Sequence, residues 1–205
     1  IGAALCNAED DIILVSKLGM SLKFQANDEQ LRPMGRQTAG VQGMKFREGD
    51  ELLDMDVVWG DSDKDLFVVT NEGFAKRTAI SEYRLQGRNG FGVKAVQLAE
   101  GRGSLVGAVI VEEDDQIMAI MKSGKVIRSN VDEVKRTGRT TQGVTFAKPD
   151  KNDEIISIAR NEEKDDDEST ENATVNEGTA QSSESAVEAP AETNAESGDG
   201  ENVEA

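Results

Sequence analysis

Three short stretches of the chain combine glycines with an arginine, a pairing that could bind phosphate. They read GRQTAGV (35–41), GRNGFGV (87–93) and GRTTQGV (138–144). The middle stretch does not match a dinucleotide-binding GxGxxG motif, because its glycines fall at 87, 90 and 92. No Lys-Ser or Lys-Thr follows, so it is not a P-loop either. The choice left is between a structural turn and a loop that contacts phosphate.

The composition excludes several kinds of chemistry. Histidine is absent, which rules out a Ser-His-Asp or Cys-His nucleophile and a His-ligated metal within this chain. Cys6 is the single cysteine, so no internal disulfide forms; we expect it to be a buried small residue in a reducing cytosol. The acidic run 112–115 is interpreted as a solvated loop. The sequence shows no cluster of residues suited to acid-base or nucleophilic catalysis, which disfavours an independent enzyme.

The three stretches belong to a repeat of about fifty residues. Gly35, Gly87 and Gly138 are 52 and 51 residues apart. Before them come apolar hairpin patterns, DDIILVSKLGMSLKF (10–24), KDLFVVTNEGFAKRT (64–78) and DQIMAIMKSGKVIRS (115–129), each with a glycine turn. After them come ELLDMDVV (51–58), SLVGAVIV (104–111) and EIISIAR (154–160).

Each repeat predicts four short strands, in the first near 11–16, 20–24, 40–46 and 51–58. We therefore expect an all-β, propeller-like array of about three blades, at 1–58, 59–111 and 112–160. The glycines of the three stretches are interpreted as turn residues, and these are Gly35, Gly40, Gly87, Gly90, Gly92, Gly138 and Gly143. Tyr83 aligns with Leu31 and Val134, so it is predicted to pack in the core.

Basic residues recur at three offsets of the repeat. We name them the loop set (Arg32, Arg84, Lys135), the turn set (Arg36, Arg88, Arg139) and the strand set (Lys23, Arg77, Arg128). A radial array places equivalent positions on an equivalent rim, so these cations predict a curved stripe that binds the phosphates of bent duplex DNA. The alternative is that they bind neighbouring carboxylates or carbonyls; it stays open for the turn set, whereas the strand set is interpreted as DNA contacts. Lys45, Lys76, Lys94 and Arg136 could widen the stripe.

Charge is distributed unevenly along the chain, whose net charge is −17. Residues 161–205 carry 15 acidic side chains and one lysine, and their low apolar content predicts a disordered tail. Two hypotheses for this tail are a solubilising role and competition with DNA for the basic rim. No apolar run approaches the roughly 20 residues of a membrane helix, and no signal peptide is visible. Because the chain begins with Ile1, we expect it to be part of a longer protein, and because three repeats alone would leave two terminal faces exposed, we expect further units upstream.

The motifs LRPMGRQTAGVQGMKF, FAKRTAISEYRLQGRNGFGV and GRTTQGV resemble the C-terminal domain of DNA gyrase A, in its actinobacterial form. The resemblance covers residues 1–160. It implies a β-pinwheel, a propeller in which strands pass between blades, and it implies wrapping of double-stranded DNA around a basic rim. It further implies a cytoplasmic, nucleoid-associated A₂B₂ holoenzyme with gyrase B that supercoils DNA using ATP and Mg²⁺. The catalytic tyrosine and the ATP site would lie outside this chain, which itself would hold no cofactor.

The stretch from Gln86 to Gly92 resembles a secondary copy of the family's DNA-binding box, similar to QRRGGKG. The resemblance carries over Gln86, Gly87, Arg88, Gly90 and Gly92. It departs at Asn89, and at Phe91, where the box has lysine. Two alternatives remain, namely the equivalent domain of topoisomerase IV and a propeller used for protein docking.

Overall fold

The computed structural model describes residues 2–60 and 63–161. The predicted acidic tail and its competition with DNA therefore lie outside the described residues. Within them the fold is all-β, as predicted, with two short 3-10 helices at Ile80–Glu82 and Val131–Glu133. The strands are β1 (Asp11–Ser16), β2 (Met20–Gln25), β3 (Leu52–Val58), β4 (Asp65–Thr70), β5 (Phe74–Ala79), β6 (Val93–Lys94), β7 (Leu105–Val111), β8 (Gln116–Met121), β9 (Val126–Asn130), β10 (Val144–Thr145) and β11 (Ile155–Asn161).

The first two strands of every repeat form an antiparallel hairpin, β1–β2, β4–β5 and β8–β9. The turn glycines Gly19, Gly73 and Gly124 have φ of 83°, 83° and 87°, which confirms the hairpin turns predicted from the sequence. The last strand of each repeat, β3, β7 or β11, pairs with the other edge of the hairpin's first strand.

The fourth strand of a sheet comes from the next repeat. The first sheet has the order β3-β1-β2-β6 and the second β10-β5-β4-β7, whereas the third holds β11-β8-β9 among the described residues. Strands therefore pass between neighbouring blades, and the expected pinwheel architecture is confirmed. The boundaries of the sequence repeats consequently differ from those of the sheets by one strand.

The prediction of a strand near 40–46 is wrong. Residues 41–42 are equivalent to β6 and β10, but the described residues contain no earlier sheet for them to join. Met44 instead forms a single parallel bridge with Gly90.

The core fills the spaces between the sheets. Strand β4 is buried along its whole length because its two faces pack in opposite directions. Leu66 and Val68 pack with Ile13 and Val15 of the first sheet, while Phe67 and Val69 pack toward the third. Tyr83 is 2% exposed in the first of these clusters, so its predicted packing role is confirmed. Other buried residues of the first sheet, among them Ile12 and Leu14, pack on its opposite face.

One smaller expectation is wrong. Cys6 is exposed, because it lies outside the strands in a segment without core contacts. The acidic run 112–115 is an exposed turn, as expected, and within it Glu112 pairs with Lys64 at 3.3 Å and Glu113 with Arg77 at 3.2 Å.

Candidate nucleic-acid interface

The second and third glycine-arginine loops lie against the preceding repeat. We call the contact of residues 11–45 with 82–96 the first seam, and that of residues 63–95 with 135–147 the second seam. The amide of Gln86 donates to the carbonyl of Lys23 at 2.8 Å, and the amide of Thr137 donates to that of Arg77 at 2.8 Å. These equivalent bonds give the two seams the same backbone frame.

The side chains of two members of the turn set donate hydrogen bonds across the two seams. Arg88 Nη1 donates to the carbonyl of Gln42 at 2.8 Å, and Arg139 Nη1 donates to that of Lys94, the equivalent position, at 3.1 Å. Because a guanidinium hydrogen bonded to a backbone carbonyl has fewer donors left for phosphate, this geometry favours the structural alternative for both arginines. Arg36, the first member of the set, is exposed.

A second repeated contact was not predicted from the sequence. The backbone amide of Arg88 donates to Gln30 Oε1 at 3.0 Å, and that of Arg139 donates to Glu82 Oε2 at 3.0 Å. A signal was present in the sequence, since Gln30, Glu82 and Glu133 each stand two residues before a member of the loop set. Glu133 instead accepts from Asn130 and Ser129 within its own repeat.

The strand set is bound within its own hairpins. Lys23 Nζ is 3.5 Å from Asp11, Arg77 Nε is 3.2 Å from Asp65, and Arg128 Nε donates to Gln116 Oε1 at 2.6 Å. The three partners occupy one equivalent position at the start of the hairpin. The side chains of Lys23 and Arg77 are only 11% and 6% exposed, so little of either is available to a phosphate.

The second seam contains an ionic network around Asp65, whose side chain is 2% exposed. Arg136 Nε lies 2.9 Å from Asp65, and the same guanidinium lies 3.0 Å from Asp63. Arg77 joins Asp65 to Glu113. Burial raises the pKa of Asp65, and the two arginines oppose that shift. Arg136 is thereby tied to the seam through carboxylates.

Lys76 is also placed differently from its prediction as a surface cation. It is 1% exposed, and its ammonium donates to the carbonyls of Ala95 and Arg139. Burial lowers its pKa to about 8. The sequence held a sign of this burial, because the equivalent residues are Leu22 and Ile127.

The first seam has amides where the second has ions. A groove of about 330 Å³ is lined by Gln25, Asn27, Gln30, Leu85, Gln86 and Gly87. Leu85, which aligns with Arg136, is 56% exposed. Gln86 Nε2 is buried without a hydrogen-bond partner among the described residues.

The glycines of the loops divide into two groups. Gly92 has φ of 71°, and a Cβ built there would lie 2.1 Å from the carbonyl oxygen of Ser21. Gly40 and Gly143 also have positive φ, while Gly90 lies against Leu22. The other group lacks positive φ and has no atom closer than 3.7 Å to an added Cβ, so the predicted backbone requirement is not found; its members are Gly35, Gly87 and Gly138.

The loop set is the group that stays accessible in all three repeats. Arg32, Arg84 and Lys135 are exposed, and none has an ion pair within residues 2–60 and 63–161. Arg84 and Lys135 each follow a 3-10 helix by two residues, which places them equivalently on their blades. Lys45 and Lys94 are also exposed, with Lys94 Nζ donating to Gln97 at 2.6 Å. The structure therefore has an exposed cation at the equivalent position of each of the three repeats.

These features define a strand-exchanging β-propeller domain with cationic loops. The family model described as "DNA gyrase C-terminal domain, beta-propeller" matches residues 10–58, 64–112 and 115–162. Since the match covers more than half of the chain, the chain belongs to the DNA gyrase C-terminal domain family.

Relatives and solved structures agree with this assignment. The chain is 55% identical to the DNA gyrase A protein of Streptomyces coelicolor over 80% of its length, and 50% identical to that of Mycolicibacterium smegmatis over 81%. It covers 19% and 20% of those two proteins, so it spans about a fifth of the relatives it matches. A solved DNA gyrase A C-terminal domain is 29% identical with a TM-score of 0.68, covering 76% of this chain and 52% of that one.

The topoisomerase IV alternative rests on fold alone. A solved C-terminal domain of DNA topoisomerase IV gives a TM-score of 0.70 at 22% identity, over 77% of this chain and 48% of that one.

Residues 2–60 and 63–161 include no helix long and apolar enough to cross a membrane.

Proposed function

We propose that this chain binds and bends double-stranded DNA as part of a DNA gyrase A protein. The exposed loop set carries the proposal, because the same offset holds an accessible cation on every repeat, while every member of the other two sets except exposed Arg36 makes a protein contact. Cations at equivalent positions of successive blades would meet the phosphates of a duplex that curves around the array. Such contacts are independent of base sequence.

The wider role follows from the family. In a holoenzyme with gyrase B, bending by this domain would present a crossing DNA segment for passage, and ATP hydrolysis with Mg²⁺ elsewhere would drive negative supercoiling. The strand cleavage residue would lie in another part of that protein. The setting would be the bacterial cytoplasm, at the nucleoid.

The test compares two triple variants of the 205-residue chain with the same change in charge. One carries Arg32→Gln, Arg84→Gln and Lys135→Gln in the loop set. The control carries Lys17→Gln, Lys122→Gln and Lys125→Gln, cations that pair with Glu51, Glu154 and Asp150. Binding to a duplex of about 40 base pairs is measured over a range of salt concentrations.

The loop variant should bind about 10- to 100-fold more weakly at low salt, and its salt slope should fall by about 3, one for each lost phosphate contact. The control should change little. Equal losses in both variants would show that only net charge matters and would remove the loop set from the interface. A parent chain that fails to bind duplex even at low salt would contradict the proposed function itself.

A further inference from the structure

Phe91 stands at the tip of the middle glycine-arginine loop with 48% of its surface exposed. The equivalent residues of the other repeats are Ala39 and Gln142, so an aromatic side chain occurs here in one repeat of the three. We propose that Phe91 is an apolar wedge that enters a base-pair step of the bound duplex and kinks it at this blade. This inference rests on the proposed DNA-binding function.

The loop holds Phe91 on a fixed base. On one side, the carbonyl of Gly90 accepts from the amide of Lys45 at 2.7 Å, and the amide of Asn89 donates to the carbonyl of Gly43 at 2.6 Å. On the other side, Gly92 presses against the backbone of Ser21.

The backbone turns on both sides of the ring. Asn89 and Gly92 have φ of 63° and 71°, the left-handed region that asparagine and glycine adopt more readily than other residues, so the loop's own sequence favours this turn. A side chain whose backbone is anchored on both sides loses little conformational entropy when it binds, which suits a wedge that must oppose base stacking.

The surroundings of the ring favour DNA over a protein partner. Lys45, hydrogen bonded through its amide to Gly90, is exposed, and so are Lys94 and Arg84 in the segment that carries the loop. The core of a protein-docking patch is depleted of charged residues, whereas proteins that kink DNA combine cations for the phosphates with an apolar side chain for the base step. An exposed ring in a loop with Lys94 three residues on and Lys45 bonded to its neighbour Gly90, both exposed, matches the second description.

The experiment compares two duplexes that differ by one central mismatch. A mismatched step is already partly unstacked, so a protein that inserts a wedge spends less free energy there and should bind it about tenfold more tightly than the matched duplex. The 205-residue chain is titrated with both duplexes. Bending is followed by energy transfer between dyes on the duplex ends.

Three variants separate the wedge from a general effect of surface hydrophobicity. Phe91→Ala should lose the preference for the mismatch and reduce the bend, and Phe91→Leu should restore both in part. Phe46→Ala removes another exposed phenylalanine, 39% exposed and outside the glycine loop, and should behave as the parent.

Each outcome supports or overturns the wedge. If the parent binds both duplexes equally and Phe91→Ala leaves the bend unchanged, the wedge is overturned while DNA binding stands. If Phe46→Ala lowers the preference as much as Phe91→Ala, the effect belongs to exposed apolar surface in general and the wedge is again overturned. If the parent binds neither duplex, the proposed function fails and the wedge with it.

Discussion

The two seams join the same pair of elements with different side chains. Both use the backbone bonds from residues 86 and 137 and an arginine of the turn set that reaches a carbonyl of the preceding repeat. Only the second adds the network of Asp65, Arg77 and Arg136, whereas the first has exposed Leu85 and an amide groove. The backbone contacts therefore specify the architecture, and the side chains set how firmly each pair of blades is held.

The largest expected difference between the seams comes from their equivalent aspartates. Asp65→Asn removes the buried carboxylate shared by Arg77 and Arg136 and leaves buried Arg77 only the exposed Glu113, which should lower the free energy of unfolding by about 3 kcal/mol or more. Asp11→Asn breaks a pair that is longer, at 3.5 Å, and more accessible, so about 1 kcal/mol or less is expected. Chemical denaturation of both variants measures the contrast, and similar losses would mean that the network adds nothing to the second seam.

The buried ammonium of Lys76 should make the free energy of unfolding depend on pH. This dependence comes from the second seam, because the equivalent residue in the first seam is Leu22. The folded pKa of Lys76, about 8, lies below the ordinary value, so between about pH 8 and 10 the unfolded chain binds more protons than the folded one. Stability should therefore rise with pH in this window, by about 1 kcal/mol per unit. Above that range the raised pKa of Tyr83 has the opposite effect, because the unfolded chain loses the phenolic proton first.

The check is denaturation at several pH values within the window, for the parent and for Lys76→Met. The variant should lose the rise. A parent profile that is flat, or one that persists in Lys76→Met, would show that Lys76 is not the titrating group.

The smallest effect is expected when the first seam is given an arginine equivalent to Arg136 of the second seam. Leu85→Arg introduces the counterpart of Arg136 beside Asp11 and Lys23. Because Asp11 is more exposed than Asp65, we expect a gain of about 0.5 kcal/mol, measured by denaturation, and a loss of that gain at high salt. Leu85→Gln serves as the uncharged control, and an equal gain in this variant would assign the effect to removal of an exposed apolar residue.

The sequence predicts whatever depends on neighbours along the chain. The hairpins were predictable because apolar runs and a glycine turn lie within fifteen residues, and the repeat then indicated the array. Residues 40–46 failed as a strand because their pairing depends on another repeat's sheet. Lys76 and Arg77 were taken for surface cations because their partners are distant along the chain: Asp65 lies on the adjoining strand, Ala95 nineteen residues further on, and Arg139 in the next repeat.

The alignment of the repeats holds further information about burial. Aligning Lys76 with Leu22 and Ile127 indicates burial, and aligning Asp11, Asp65 and Gln116 shows a partner for each cation of the strand set. Exposure of the loop set was not predictable in this way, because three aligned cations look the same whether they are bound or free.

The borrowed fourth strand has a consequence for how such an array can lengthen or shorten in evolution. Deleting one whole sequence repeat, for example 59–111, would remove β6 but bring the equivalent β10 to within two residues of the same distance along the chain from the first sheet, so that this sheet could again be completed. Deleting the four strands of one folded sheet would instead remove parts of two sequence repeats. The remaining parts of those two repeats would not join into a complete repeat. Recombination is therefore expected to tolerate gain or loss in units of the sequence repeat, with crossovers falling inside the folded blades.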